Sequence, residues 1–98
     1  MYSMDNLLTL ITNEQARELR FRAGTPPIVV LGEEPHPMEG PPLTPQCAEQ
    51  LLRSVANTRQ MRELRERGVV TFIYTLQGSS PFLIRAAMEG ESIVFNVD

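Results

Sequence analysis

The chain has 98 residues, enough for one domain with a single core, and its one cysteine excludes an internal disulfide and any zinc site built from several cysteines. Its composition, 42% hydrophobic and 21% charged, is ordinary for a globular domain. All nine cations are arginines and twelve carboxylates outnumber them, so a net charge of −3 argues against binding to a nucleic-acid backbone.

The first predicted element is a short helix with one apolar stripe. Ser3 or Asp5 is the expected N-cap, and the end of the helix is left open between Asn13 and Ala16. The apolar positions recur at helical spacing at Leu7, Leu8, Leu10 and Ile11. This run is too short for the core of a signal peptide, and no run reaches the roughly 20 residues that span a bilayer. No membrane insertion and a cytoplasmic location are therefore expected.

A strand, a sharp corner and a second strand follow. Leu19 and Phe21 alternate with arginines, which predicts a strand with one buried face. Gly24 supplies backbone freedom at the corner, and the prolines at positions 26 and 27 fix φ and withhold two hydrogen-bond donors. The apolar residues 28–31 then predict the second strand.

The segment 32–42 contains four prolines, two glycines and three glutamates, which predicts a surface loop. One short edge strand is expected near residues 36–38, since proline is tolerated at a sheet edge.

Two helices are predicted next. Thr44 followed by Pro45 is a strong helix start, because threonine can cap the helix and proline suits its first position. The core positions of this helix are Cys47, Ala48, Leu51, Leu52 and Val55. A break at Asn57 and Thr58 precedes a shorter helix over residues 59–67, with Met61 and Leu64 in the core and Gly68 as its left-handed cap.

The last third predicts a three-stranded meander. Its core-facing positions are Val70, Phe72, Tyr74 and Leu76, then Phe82, Ile84, Ala86 and Met88, then Ile93, Phe95 and Val97. Turns are expected at residues 78–81 and at Gly90. The whole order predicts a single α+β domain over residues 1–98, with an antiparallel sheet of five to six strands and helices packed on one face.

Four arginines lie close together in the sequence, at Arg59, Arg62, Arg65 and Arg67. Glu63 and Glu66 lie among them, and Glu63 and Arg67 have the i,i+4 spacing of a helical ion pair. A solvated, self-paired helix face is therefore favoured over a nucleic-acid site.

The residues give little support for a metal site, a hydrolase site or a buried ligand site. His36 is the one histidine and Cys47 occupies a helix-core position, so no metal site or cofactor is expected. Ser79 and Ser80 fall in an expected turn and have no candidate base near them in sequence, so a hydrolase site is not supported. The polar groups that could anchor a ligand between sheet and helices are Thr71, Thr75 and Asn96, which the sheet surface can satisfy, so dry packing is favoured.

Several motifs together resemble the N-terminal, PAS-like domain of the type IV pilus retraction ATPases (PilT) and the related type II secretion ATPases. They are Ala-Gly-x-Pro-Pro at 23–27, Pro-Leu-Thr at 42–44, Gly68 before the meander, and Phe-x-Ile at 82–84. The resemblance runs from about Leu7 to Val97 and implies a PAS-like sheet. In that family a motor domain with a phosphate-binding loop follows this module.

The chain departs from the family pattern at several positions, and the resemblance links one pair of them to nucleotide. The first strand has Glu-Leu-Arg at 18–20 where the family has Asp-x-His, Val30 replaces an arginine, and Gly32 and Glu33 replace an Asp-Gly turn. Pro81 and Leu83 stand where family arginines reach toward nucleotide, and neither offers a guanidinium.

The residues themselves also argue against phosphate chemistry. A chain without lysine cannot contain Gly-x-x-x-x-Gly-Lys-Ser/Thr, and no aspartate occurs between Asp5 and Asp98 to help hold magnesium. No enzymatic activity is expected.

The resulting hypothesis is a non-catalytic protein-interaction module, an adaptor or regulator of a pilus or secretion assembly. The candidate protein-contact residues are Arg59, Arg62, Arg65 and Arg85, with the edge at residues 35–38 as a second docking surface. A related ATPase is the expected partner. Two alternatives stay open: a fragment of a P-loop ATPase that powers pilus retraction, and a free-standing small-molecule sensory domain. The sequence leaves the oligomeric state open.

Overall fold

Three helices and six strands follow one another in the part of the chain that the computed structural model describes, residues 2–76 and 81–98. They are α1 (Met4–Glu14), β1 (Glu18–Phe21), β2 (Ile28–Leu31), β3 (Glu34–Pro37), α2 (Pro45–Arg53), α3 (Thr58–Arg67), β4 (Val69–Tyr74), β5 (Phe82–Glu89) and β6 (Ser92–Val97). The predicted turn residues Gly78, Ser79 and Ser80 lie outside the described residues.

The strands form one sheet in the order β3-β2-β1-β6-β5-β4, and every neighbouring pair is antiparallel. The predicted α+β fold with a six-stranded antiparallel sheet is therefore confirmed. Hairpins join neighbours in sequence, whereas β1 and β6 pair across most of the chain, with Leu19 opposite Val97 and Phe21 opposite Phe95. This pairing places an early strand at the centre of the sheet.

The core lies between the sheet and the helices. Alternate residues of each long strand point toward the helices, as the period of a strand requires, and Leu19, Ile84 and Val97 are fully buried among them. Leu8 of α1, Leu52 of α2 and Leu64 of α3 supply the opposing layer, each with no exposed surface.

The helix ends follow local chemistry. α1 starts after Ser3 without a side-chain cap bond, runs past Asn13 and ends where Gln15 adopts a left-handed conformation at φ 53°. The Thr44 side chain accepts a hydrogen bond from the backbone N–H of Cys47, as a threonine N-cap predicts.

α3 begins one residue earlier than predicted, because Asn57 caps it. The Asn57 side chain accepts from the backbone N–H of Gln60, and the Gln60 side chain accepts from the backbone N–H of Asn57. Gly68 ends the helix at φ 82°, as predicted. Cys47, predicted at a core position, is only half-buried.

The predicted corner and edge strand are both present. Gly24 adopts φ 95°, its N–H donates to the carbonyl of Leu43, and the N–H of Leu43 donates to the carbonyl of Thr25. The edge strand β3 ends at Pro37, before the predicted limit at Met38. These contacts fasten the proline-rich loop to the sheet.

None of the described helices has the length and apolar character that crossing a membrane demands.

Candidate interaction surface

One side of the sheet carries no helix, and we call it the open face. The strand registers place on it the residues that alternate with the core positions. Its members in the central and β4 half are Arg20, Val69, Thr71, Ile73, Leu83, Arg85, Ala87, Val94 and Asn96.

The β4 side of the open face is apolar. Val69 and Ile73 are 58% and 62% exposed, the highest values among the described large hydrophobic side chains. Ala87 lies beside both Val69 and Val94 in the strand registers, so small apolar groups continue this area inward. Val69, Ala87 and Val94 thus form one apolar row across three strands, and Ile73 lies beyond Thr71 on the same face. Exposed apolar surface of this kind is typical of interaction sites.

The β1 side of the open face is charged but largely self-neutralised. Arg20 pairs with Glu18 at 2.6 Å, and Arg85 pairs with Asp98 at 2.8 Å. Both arginines are at least half exposed, so each pair contributes little to stability. The pairs border a depression that also contains Arg17, Val30 and Glu33.

The four arginines predicted as protein contacts do not form one surface. Arg59, Arg62 and Arg65 are exposed on α3, whereas Arg85 lies on the open face, because its neighbours Ile84 and Ala86 point into the core beneath the helices. The sheet therefore separates Arg85 from the other three.

Arg65 forms an ion pair that no spacing in the sequence predicts. Its guanidinium lies 3.0 Å from the carboxylate of Glu49, and Glu49 also pairs with Arg53 at 3.0 Å. One carboxylate thus joins α3 to α2.

The predicted Glu63–Arg67 pair was wrong: within residues 2–76 and 81–98 no ion pair joins these two side chains. Solvated side chains at i,i+4 gain little from pairing, which explains why spacing alone did not produce the contact.

A groove of about 250 Å³ runs between α3 and β4. Asn57, Arg59, Gln60 and Glu63 form its helical wall, and Val70, Thr71 and Phe72 form its strand wall. In the described part of the chain neither Arg59 nor Arg62 takes part in an ion pair. No local pattern in the sequence predicts this groove, since it depends on how α3 packs on the sheet.

The residues considered for other chemistry are dispersed. His36 is exposed on β3 with its Nε2 3.8 Å from a carboxylate oxygen of Glu34, while Cys47 lines a separate cleft between the start of α1 and α2. Among the described residues no three metal-ligating side chains gather. Ser79 and Ser80 lie outside the described residues.

The cleft beside Cys47 measures about 200 Å³ and is lined by residues of α1, α2 and their approaches, with no strand residue. A PAS-like ligand cavity would lie between sheet and helices instead. Thr71, Thr75 and Asn96, the predicted anchors for such a ligand, are all exposed, and Thr71 and Asn96 lie on the open face. They do not line a core cavity.

Comparison with known proteins gives matches among solved structures. No protein-family model matches the chain. No curated protein matches it significantly either. The structure of the pilus retraction motor PilT with bound ADP superposes with a TM-score of 0.88 at 21% identity, covering 99% of this chain and 29% of that one.

Two structures of the ATPase DotB also match. The Legionella pneumophila protein gives a TM-score of 0.81 at 14% identity, covering 98% of this chain and 28% of that one. The Yersinia pseudotuberculosis protein gives 0.68 at 14% identity, covering 96% and 28%.

The chain spans less than a third of the length of each of these ATPases. Identities of this size establish a shared fold, and the resemblance predicted from the sequence is confirmed at that level. The chain therefore has the fold of an N-terminal domain of PilT- and DotB-type ATPases.

Proposed function

We propose that the chain is a non-catalytic protein-interaction module that docks through the open face of its sheet. The partner we propose is a PilT- or DotB-type ATPase, or another component of a pilus or secretion assembly, on which the chain acts as an adaptor or regulator. We also propose a cytoplasmic location, which the single, half-buried Cys47 supports, since a reducing compartment suits it.

The exposure of the open face is the observation that carries this proposal. The helices bury one side of the sheet, whereas Val69 and Ile73 remain more than half exposed on the other. Antiparallel sheets with one solvated face usually present polar residues there. The apolar area with Ala87 and Val94 is thus suited to a partner surface that is itself apolar.

The charges around this area resemble the rim of an interface. Arg85 and Arg20 lie beside the apolar residues, and each has a carboxylate partner within the chain. Interfaces combine an apolar centre with a polar rim, and rim charges influence association rate more than affinity. We therefore expect binding that depends only weakly on salt.

The non-catalytic part of the proposal has its support in the sequence. The chain contains no lysine, and Pro81 and Leu83 occupy positions where the related ATPases are expected to have arginines. Arg85, the arginine present on that strand, forms an ion pair with Asp98. Purified protein should release no phosphate from ATP, and sustained turnover that co-purifies with the chain through several columns would refute this part.

Binding to a purified PilT-type ATPase, measured by biolayer interferometry, tests the docking surface. Ala87→Arg inserts a long cation into the apolar area without touching the core, since Ala87 is on the open face. We expect Kd to rise by about tenfold or more, equivalent to about 1.4 kcal/mol.

The matched control is the double variant Arg59→Ala and Arg62→Ala, which changes the exposed helix and leaves the open face intact. This control should bind like the parent chain. If it loses binding while Ala87→Arg does not, the docking surface is α3, as first predicted from the sequence. If the parent chain binds neither ATPases nor other pilus and secretion components, the proposed partner class is wrong.

A further inference from the structure

We propose that strand β4 pairs with β4 of a second copy of this chain, forming a two-fold symmetric dimer with one continuous sheet. The inference concerns the edge of the sheet and does not depend on the proposed partner, but the side chains of Val69 and Ile73 belong to both the edge and the open face.

The two edges of the sheet differ in their capacity to add a strand. Directly after β3, Met38 donates its N–H to the carbonyl of Pro27. This bond fixes the alternation along β3, so even-numbered residues bond to β2 and odd-numbered residues direct their backbone groups outward. The outward positions are Pro35 and Pro37, which have no N–H. This edge therefore lacks donors where a new strand would need them.

The β4 edge has backbone N–H donors at the positions where an added strand would need them. Leu83 exchanges both backbone hydrogen bonds with Asp98 on the β6 side, so the even-numbered residues of β5 bond to β4. Their partners Val70, Phe72 and Tyr74 use their backbone groups inward.

The alternate residues of β4, namely Val69, Thr71 and Ile73, consequently direct their N–H and C=O groups outward. Among residues 2–76 and 81–98 no other segment pairs with them. β4 also contains no proline and no charged residue, the usual protections of an edge strand.

A single register satisfies all three outward residues. In antiparallel pairing about a two-fold axis at Thr71, Thr71 faces Thr71 of the second copy, and Val69 faces Ile73 of the second copy on each side. This ladder provides about six backbone hydrogen bonds. It also places against each other the two large hydrophobic side chains that are most exposed among residues 2–76 and 81–98, and β-branched cross-strand pairs are favourable.

The charges beside the edge suit the same symmetry. A two-fold axis perpendicular to the sheet keeps both α3 helices on one side and makes them antiparallel. Arg59 and Glu63 both line the groove along β4. The axis brings Arg59 of each copy toward the part of α3 that contains Glu63 of the other, which gives the reciprocal complementarity of an isologous interface.

The test is sedimentation equilibrium of the full chain from low micromolar to millimolar concentration. The parent chain should show a reversible monomer–dimer equilibrium. Thr71→Lys and Thr71→Glu each place two like charges face to face on the axis, and each should weaken the dimer by about tenfold or more. Thr71→Val keeps the backbone donor and the β-branched shape, and should dimerise like the parent.

Mixing the two charged variants provides the decisive measurement. Lysine in one copy then faces glutamate in the other, so the mixture should form a heterodimer that is tighter than the homodimer of either variant. Thr71 is exposed, and circular dichroism will verify that each variant melts cooperatively. A parent chain that stays monomeric throughout the range, or a dimer that Thr71→Lys leaves intact, would overturn the inference. So would a mixture of the two charged variants that does not associate.

Discussion

The rings of Phe21 and Phe95 are stacked, with centroids 4.3 Å apart and planes 10° from parallel. Both side chains are almost completely buried, at 1% and 2% exposure, and they come from the paired strands β1 and β6. The stack therefore joins two segments that are distant in sequence, at the middle of the sheet.

Truncation of this stack should be the most damaging single change in the core. We expect Phe95→Ala to lower the free energy of unfolding by about 3–5 kcal/mol, because it removes a buried ring and leaves a cavity. Urea denaturation followed by circular dichroism measures the loss. Phe95→Leu, which keeps most of the volume, should cost clearly less, and equal losses would show that the ring itself is not what matters.

A side chain at Gly40 should destabilise the fold. It adopts φ 138°, and a Cβ there would lie 2.5 Å from the hydroxyl oxygen of Tyr2. That hydroxyl donates a hydrogen bond to the carbonyl of Pro41 at 2.8 Å. Moving the Tyr2 side chain away from the added carbon would therefore break this hydrogen bond. Gly40→Ala should destabilise by about 1–3 kcal/mol through backbone strain and the clash.

The control for Gly40 is Gly32→Ala, where φ is 63° and nothing lies within 4 Å of the added carbon. This variant should lose only about 1 kcal/mol, the cost of a left-handed alanine. The penalty at Gly40 should also shrink in a Tyr2→Phe background. An unchanged penalty there would mean that Tyr2 is not the obstacle.

The cap of α3 should contribute measurably to stability. Asn57 and Gln60 satisfy each other's backbone N–H groups at 2.8 and 2.9 Å. Asn57→Ala should cost about 1 kcal/mol, and Asn57→Ser less, because serine can still cap the helix. Thermal melts compare the three proteins, and identical melting temperatures would contradict the role of the cap.

The bridge between α2 and α3 should be weak and sensitive to salt. Glu49 contacts Arg53 and Arg65 at 3.0 Å each, but the two guanidinium groups are about half exposed. Glu49→Gln should cost about 0.5 kcal/mol or less, and the difference should vanish in high salt. Glu66→Gln, at an exposed carboxylate of α3, is the matched control and should change nothing.

Local patterns were sufficient to predict most of the elements. Leu19 and Phe21 identified a strand through alternation, Thr44 with Pro45 identified a helix start, and Gly68 identified a helix end. No pattern predicts the end of α1 at Gln15, because glutamine rarely adopts the left-handed conformation that it has there.

Long-range features could not be obtained in this way. The insertion of β1 between β2 and β6 depends on a pairing of Leu19 with Val97, which no local spacing encodes. The Arg65–Glu49 contact spans two helices, so no i,i+4 spacing could predict it. The open face follows in part from alternation, since Thr71 and Arg85 fall between core positions.

Pro35 and Pro37 have a consequence for how far association could proceed. Unlimited growth of a sheet needs two receptive borders on every copy, and these prolines leave each copy with one. A pair of chains joined through β4 would present only proline-bearing borders to the solvent, so assembly would terminate there instead of lengthening into a fibril.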